Sequence, residues 1–470
     1  MVTESKKGQK ISPKAVQSAE KSAKRKSTRN LQYKEPELWI RQGRNAQFGT
    51  PGREKRFITV GIDFGTAFTK ASVGLMDKIY IVDWSGLLDS PNPFTLPCEM
   101  SVLGNNYCVL GHAAKARQVF RQLKHPFLQD NPSGDQIALG TAFLALVLRY
   151  VRAWLFYRHG KLIQNKKAIW SLNIGMPSKP FESSELKNIY EGMARSAWDI
   201  SCQGKPITIQ GAKLARANEP NQGIEDFESV KAIPEFVAQI ASYVHSPQRQ
   251  GDLHMIMDVG AGTVDVATFN VHENKENGEN VFPIFSSEVK PLGTHFLTES
   301  RISFLSRKKP IEWNDFSPIL SAADFCKKFK VDIEQINKCD DVHASQVSNT
   351  IGGVLHHTRT KRYRNSPNWN NGIRVFFCGG GSENDVFQKA LKMSFGSNQS
   401  LLKQTPLPFP ENAEAKGLDK KDFHRVAVAY GLGINAWNLG TIRPAAEVAD
   451  DKPVWRSVRE RPDRDELYPK

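Results

Sequence analysis

The stretch Ile58-Thr59-Val60-Gly61-Ile62-Asp63-Phe64-Gly65-Thr66 ends an apolar strand on an aspartate and follows it with a small, hydroxyl-bearing turn. The pattern returns at Met255-Ile256-Met257-Asp258-Val259-Gly260-Ala261-Gly262-Thr263, which continues into Val264-Asp265-Val266-Ala267. A third turn, Gly379-Gly380-Gly381-Ser382, follows the apolar Val375-Phe376-Phe377-Cys378. Beyond the first two turns the alternation of apolar residues resumes, in Thr69-Lys70-Ala71-Ser72-Val73 and in Val264 to Phe269. Each motif therefore predicts a β-hairpin rather than a strand-to-helix elbow. No G-x-x-x-x-G-K-[ST] string accompanies them, which argues against a Walker-type loop.

The residue types suggest what such turns can hold. A turn without Cβ atoms lets backbone N–H groups approach phosphate oxygens, and the hydroxyls of Thr66 and Thr263 add side-chain donors to the same anion. A carboxylate facing phosphate would repel it. Asp63 and Asp258 instead suit a hydrated Mg²⁺, which keeps several waters and takes only one or two carboxylates. Together the three turns predict a nucleotide cleft.

With these motifs in hand, the chain resembles the actin, sugar-kinase and heat-shock-chaperone ATPase superfamily, and within it the nucleotide-binding domain of the DnaK-like chaperones. Further segments carry the resemblance in the same order. Val109-Leu110-Gly111-His112-Ala113-Ala114-Lys115 is similar to an early glycine-alanine-alanine-lysine turn. Trp170 to Pro177, followed by a helical run from Glu182 to Trp198, resembles the strand, proline and helix before an interdomain crossing. Ile233-Pro234-Glu235-Phe236-Val237-Ala238-Gln239-Ile240-Ala241 resembles the first crossing helix, Val289 to Phe296 the ribose-side loop, and Ala427 to Ala436 the second crossing helix. The resemblance covers residues 57–437, and its long first interval favours the chaperone branch over actin.

The resemblance implies an α/β fold of two actin-like (ribonuclease H-like) lobes, their mixed sheets flanking an ATP cleft, preceded by a disordered basic tail. The expected boundaries are 1–56 for the tail, 57–240 and 241–437 for the lobes, and 438–470 for a charged C-terminal tail. It implies ATP/ADP and Mg²⁺ as cofactors, catalytic roles for Asp63, Glu235, Asp258 and Thr263, and the metal held by Asp63, Asp258 and Glu235. The nucleotide contacts fall to Gly65, Thr66, Ala67, Gly260, Ala261, Gly262, Asp265, Gly293, Gly380, Gly381 and Ser382. Several positions depart from the family pattern. Ala67 replaces a threonine, Ala261 a glycine, Asn384 an adenine-flanking arginine, and Arg425-Val426 an acidic pair. Lys124 is the nearest candidate for the family's catalytic lysine, one residue out of register. The family continues with an apolar linker and a peptide-binding domain, which the charged and proline-rich residues 438–470 do not resemble. The expected function is an ATP-binding, slowly hydrolysing switch that acts on a separate protein partner.

At 470 residues the chain can bury two sizeable cores. Its net charge of +15 is concentrated: residues 1–56 hold 15 Lys or Arg against 5 Glu. Few apolar residues and like charge predict disorder there, and an arm for nucleic acid or another acidic partner. No apolar central region marks a secretory signal. Six cysteines without a C-x-x-C pair read as reduced packing residues. The apolar segment Leu139 to Tyr157 is interrupted by Arg149 and Arg152, costly in a bilayer, so a core helix and a cytoplasmic protein without a membrane span are expected. His356-His357 falls on an expected helix, Val347 to Tyr363; adjacent residues do not share a helix face, which favours a solvated surface over a metal site. Three other readings use the same fold: an actin-like subunit that polymerises, a small-molecule kinase, and a nucleotide-binding scaffold with little turnover.

Overall fold

The computed structural model describes residues 52–450 except 89–91, 129–131, 178–180, 182, 218–226, 275, 277 and 306–318. The expected basic tail up to residue 51, and residues 451–470 of the expected C-terminal tail, lie outside the described residues.

The chain opens with the meander β1 (Lys55–Phe64), β2 (Phe68–Leu75) and β3 (Lys78–Ile81). The first expected hairpin is present, with Asp63 opposite Lys70 across the antiparallel pair. The short β4 (Leu96–Pro97) pairs with β2 and leads into a separate sheet of β5 (Glu99–Leu103), β6 (Cys108–Leu110) and β7 (Ala116–Arg121). Helix α1 (Gly134–Ile163) then returns the chain to β8 (Lys167–Met176) and β9 (Phe227–Pro234), which add in parallel beside β1. Between them lie α2 (Ser184–Cys202) and α3 (Ile209–Ala217). The last seven residues of β1 and of β8 are all buried, as expected of strands covered on both faces.

A second sheet repeats this plan. Strands β10 (His254–Val259) and β11 (Val264–Phe269) form the second expected hairpin, with Asp258 opposite Asp265. The strand β12 (His272–Glu273) lies beyond β13 (Asn280–Lys290), which pairs with β11; β14 (Ile373–Cys378) and β15 (Leu402–Gln404) add in parallel beside β10. The two central orders, β3-β2-β1-β8-β9 and β13-β11-β10-β14-β15, each place third, second, first, fourth and fifth strands side by side. The edges mix the halves. Ala413–Glu414 (β16) joins the first sheet beside β3, and Thr441–Arg443 (β17) pairs with β13.

Helices α5 (Thr294–Leu305), α6 (Ala322–Phe329), α7 (Ile333–His357) and α8 (Asp385–Ser394) belong to the second half. Helix α7 begins earlier than the sequence suggests because the Asp332 carboxylate caps it, accepting from Glu334 N at 3.1 Å. It gives way at Thr358 to a π turn rather than continuing to Tyr363.

Helix α1 is long and apolar enough to cross a membrane, yet 83% of its most apolar window is buried inside the protein. The two arginines that interrupt its apolar stretch explain themselves locally. Arg149 donates to the carbonyls of Ile200, Gln203 and Lys205 at 2.9–3.2 Å, satisfying the C-terminal end of α2. Arg152 donates to Ser201 Oγ at 2.9 Å and lies over the Trp198 ring. The six cysteines are free, and burial pushes the Cys108 thiol up to about 11.

Two helices tie the sheets together. Helices α4 (Glu235–Val244) and α9 (Ala427–Leu432) share one apolar cluster with Ile79 and Ile81 of the first sheet and Ile256, Phe269 and Phe376 of the second. Their contact is backbone on backbone: a Cβ at Gly431 would lie 1.9 Å from the Ala238 carbonyl oxygen.

Candidate functional site

Where the two sheets face each other they enclose a cavity of ≈ 580 Å³, within the range of small-molecule sites. Its wall includes Asp63, Gly65, Thr66 and Ala67 from the first hairpin and Asp258, Gly260, Ala261, Thr263 and Asp265 from the second. The turns touch. A Cβ on Gly262 would lie 2.9 Å from Thr66 Oγ1, so glycine is what lets the second turn close on the first. Gly260 N–H donates to Thr263 O at 2.9 Å, closing the second turn, while the Gly260 and Ala261 carbonyls accept from Thr294 and His295 at the start of α5. In a planar trans peptide the N–H opposes the preceding C=O, so the amides of Ala261 and Gly262 point away from α5.

The hairpins are equivalent in register but not in chemistry. The position opposite Asp63 is Lys70; the position opposite Asp258 is Asp265. Lys70 Nζ donates to Asp63 Oδ2 at 2.8 Å on the cavity wall. Sequence reading missed Lys70, although the antiparallel count from Asp63 could have found it.

Glu235 opens α4 directly after β9, and its side chain packs over Gly175 of β8. Lys124, which follows the inserted strand β7, donates to Glu235 Oε1. Both line the cavity, so the lysine that lay out of register in the sequence does reach the site. Burial works to lower Lys124, but Glu235, then Tyr190 and Asp63, hold the ammonium above its ordinary value. Burial pushes Glu235 up, with Lys124 pulling it back and Asp63 adding to the rise.

Asp258 sits at the end of β10 in parallel register with Cys378, next to the third turn. Gly379 holds φ +83°, and a Cβ there would strike Asp258 Oδ1 at 2.1 Å. The other carboxylate oxygen accepts from Gln239 Nε2 at 3.1 Å. Burial raises Asp258; Lys70 opposes this and Asp63 reinforces it. Gln239 also lines the cavity, one turn beyond Glu235 on the same face of α4, a spacing that could have revealed it.

Gly380 and Gly381 line the cavity; Gly262, Gly293 and Ser382 do not. Ser382 instead closes the third turn, its hydroxyl donating to Gly379 O at 2.9 Å, and Gly293 packs against the Ala261 carbonyl. Asn384 caps α8 by accepting from Val386 N at 3.0 Å, a backbone role that arginine cannot fill. Arg425 does reach the cavity, close to Gly380.

The oxygen-rich wall fits a hard divalent cation. Among the described residues no three His, Cys, Asp or Glu side chains gather tightly enough to ligate one ion. Asp63 and Glu235 each already face an ammonium, whereas the direct partner of Asp258 is a neutral amide. This set suits a hydrated ion touched by one or two carboxylates, Asp258 foremost, rather than an ion caged by all three. His356-His357 forms no such group either; His357 Nδ1 lies 3.2 Å from Ser286 Oγ. No protein-family model matches the chain, and no curated protein matches it in sequence.

Proposed function

We propose that this chain binds ATP with Mg²⁺ between two actin-like, ribonuclease H-like halves and hydrolyses it slowly, serving as a chaperone-like conformational switch for a partner protein in the cytoplasm. The observation that carries this reading is the meeting of two equivalent hairpin turns, Gly262 against Thr66, on the wall of one cavity.

The phosphates would lie against the glycine-containing turns, where backbone N–H groups and the Thr66 and Thr263 hydroxyls donate. Lys70 and Lys124 are the ammonium groups placed to receive their charge. Asp258, with Asp63 and Glu235 behind it, would hold the hydrated Mg²⁺, which when bound would neutralise phosphate charge. Asp258 and Glu235 also form the acidic wall facing the attacking water. Gly380, Gly381 and Arg425, which line the same cavity, would meet the nucleoside.

The two-sided arrangement of the turns supports the switch reading. A γ-phosphate held by both turns links the halves, and its loss leaves ADP unable to do so, which permits a hinge opening about α4 and α9. Equilibrium dialysis of ATP and ADP, followed by single-turnover hydrolysis, tests this in wild type and Asp258→Asn. The expected outcome is nucleotide binding by wild type and hydrolysis slowed at least about tenfold in the variant. Failure of wild type to bind either nucleotide removes the proposal; equal slow rates in both proteins reduce it to a nucleotide-binding scaffold.

A further inference from the structure

Among the described residues the cavity wall carries three Lys or Arg side chains, and two of them already face a carboxylate, Lys70 with Asp63 and Lys124 with Glu235. Arg425 is the third. Among the described residues its side chain makes no hydrogen bond or ion pair, and it is only partly buried, with its nitrogens open to solvent. Its Nη2 lies 3.7 Å from where a Cβ on Gly380 would stand, which sets the guanidinium beside the third glycine turn on the cavity wall. A detour of the chain brings it there. After β15, residues 405–426 leave the second sheet, lay β16 beside β3 of the first, and return to α9 through a 3₁₀ turn, Lys420–Arg425. Side chains three apart are eclipsed in such a turn. Phe423 and Val426 take the face that packs into the apolar cluster shared by the two sheets, Phe423 lying edge-on to Phe409 and Tyr430, while Asp422 and Arg425 take a face that lines the cavity. Asp419, also on the wall, is turned to Lys421.

The third turn is bonded to the second. Gly381 N–H donates to Val259 O at 3.0 Å, one residue before Gly260, so a phosphate chain that leaves the second hairpin turn for the nucleoside passes the guanidinium. A wall rich in carboxylates repels phosphate unless an uncommitted cation stands against it. We propose that Arg425 donates to the α-phosphate, the one joined to the nucleoside, and so holds the nucleotide from a strap that is tied to both sheets. The α-phosphate is common to ATP, ADP and AMP, so this contact survives loss of the γ-phosphate and keeps the product in place. The inference rests on the ATP-binding reading, deepens it, and has its own test.

Titration calorimetry of ATP, ADP, AMP and adenosine against wild type, Arg425→Gln and Arg425→Lys provides that test. Arg425→Gln is expected to weaken ATP, ADP and AMP by one common factor, about ten- to a hundredfold, and to leave adenosine within about threefold of wild type. Arg425→Lys, which keeps the charge without the planar fork, is expected to lose less than Arg425→Gln on each phosphate-bearing ligand. Should Arg425→Gln fold poorly by circular dichroism, Arg425→Met is put through the same titrations. An equal loss on adenosine and AMP overturns the inference, because the guanidinium would then meet the base or ribose or support the fold. A loss on ATP that spares AMP overturns it by moving the contact to the outer phosphates. Unchanged affinities in a folded variant overturn it, as does a wild type that binds AMP no more tightly than adenosine. Each of these results leaves ATP binding itself intact; a wild type that binds no nucleotide overturns the underlying reading as well.

Discussion

Gly262 and Thr66 mark the point where two distant parts of the chain meet, and a single methyl group probes it. In Gly262→Ala the new Cβ would lie 2.9 Å from Thr66 Oγ1 and 3.2 Å from its Cγ2, so the Thr66 side chain or the turns must shift. ATP affinity is expected to fall about tenfold, or ~1.4 kcal/mol. Thr66→Ala removes both atoms that clash, so a double-mutant cycle measured by calorimetry should give a favourable coupling of about 0.5–3 kcal/mol. Strict additivity would mean that the turns act independently. At this scale the sequence was partly legible. Asp63, Asp258, Thr66 and Thr263 could be read from local pattern, and all of them line one cavity. Lys124 and Gln239 could not be given their partners, because the contacts to Glu235 and Asp258 depend on how an inserted sheet and a crossing helix pack. Ser382 and Gly293, expected from the sequence to contact nucleotide, support neighbouring backbone and do not line the cavity.

Among the elements, the two crossing helices and the second hairpin make separate demands. Helix α9 packs so closely on α4 that Gly431→Ala places a Cβ 1.9 Å from the Ala238 carbonyl, backbone that cannot rotate away. The variant is expected to lose roughly 3 kcal/mol by urea unfolding, the upper end of overpacking costs. Strand β10 begins with His254, whose ring stacks on Phe269 and Phe376 and shares a hydrogen bond of 3.1 Å with Tyr243. Burial lowers its pKa to about 4. The unfolded chain therefore takes up a proton near pH 6.5 that the native state refuses, so stability is whole above that pH and is lost as pH falls toward 4. The loss is on the order of 3 kcal/mol for this residue. Urea midpoints at pH 7 and pH 5 are expected to fall further in wild type than in His254→Phe; equal falls would assign the acid sensitivity elsewhere. The hairpins and the core helix α1 were legible because period and spacing are local. The start of α7 was not, since it turned on recognising Asp332 as a cap.

For the whole molecule, the repeated strand order explains why two motifs so far apart in sequence can face one cavity: each hairpin belongs to the first and second strands of its own sheet. The symmetry is in backbone register, and the side chains break it, Lys70 standing where the other half has Asp265. That difference makes the proposed site asymmetric, with two lysine–carboxylate pairs on the wall from the first half and two facing aspartates from the second. Sequence reading could find the two hairpins but not the sheet edges, since β16 and β17 are too short to carry a periodic signal and are set by what they pair with.

The claim on which the rest depends is that one triphosphate is gripped from both sides. Amide hydrogen exchange with and without Mg²⁺-ATP measures this directly. Slower exchange on ATP is expected in peptides covering both Gly65–Ala67 and Gly260–Thr263, with weaker protection of one or both in ADP. Protection confined to a single turn, or to neither, would contradict the account.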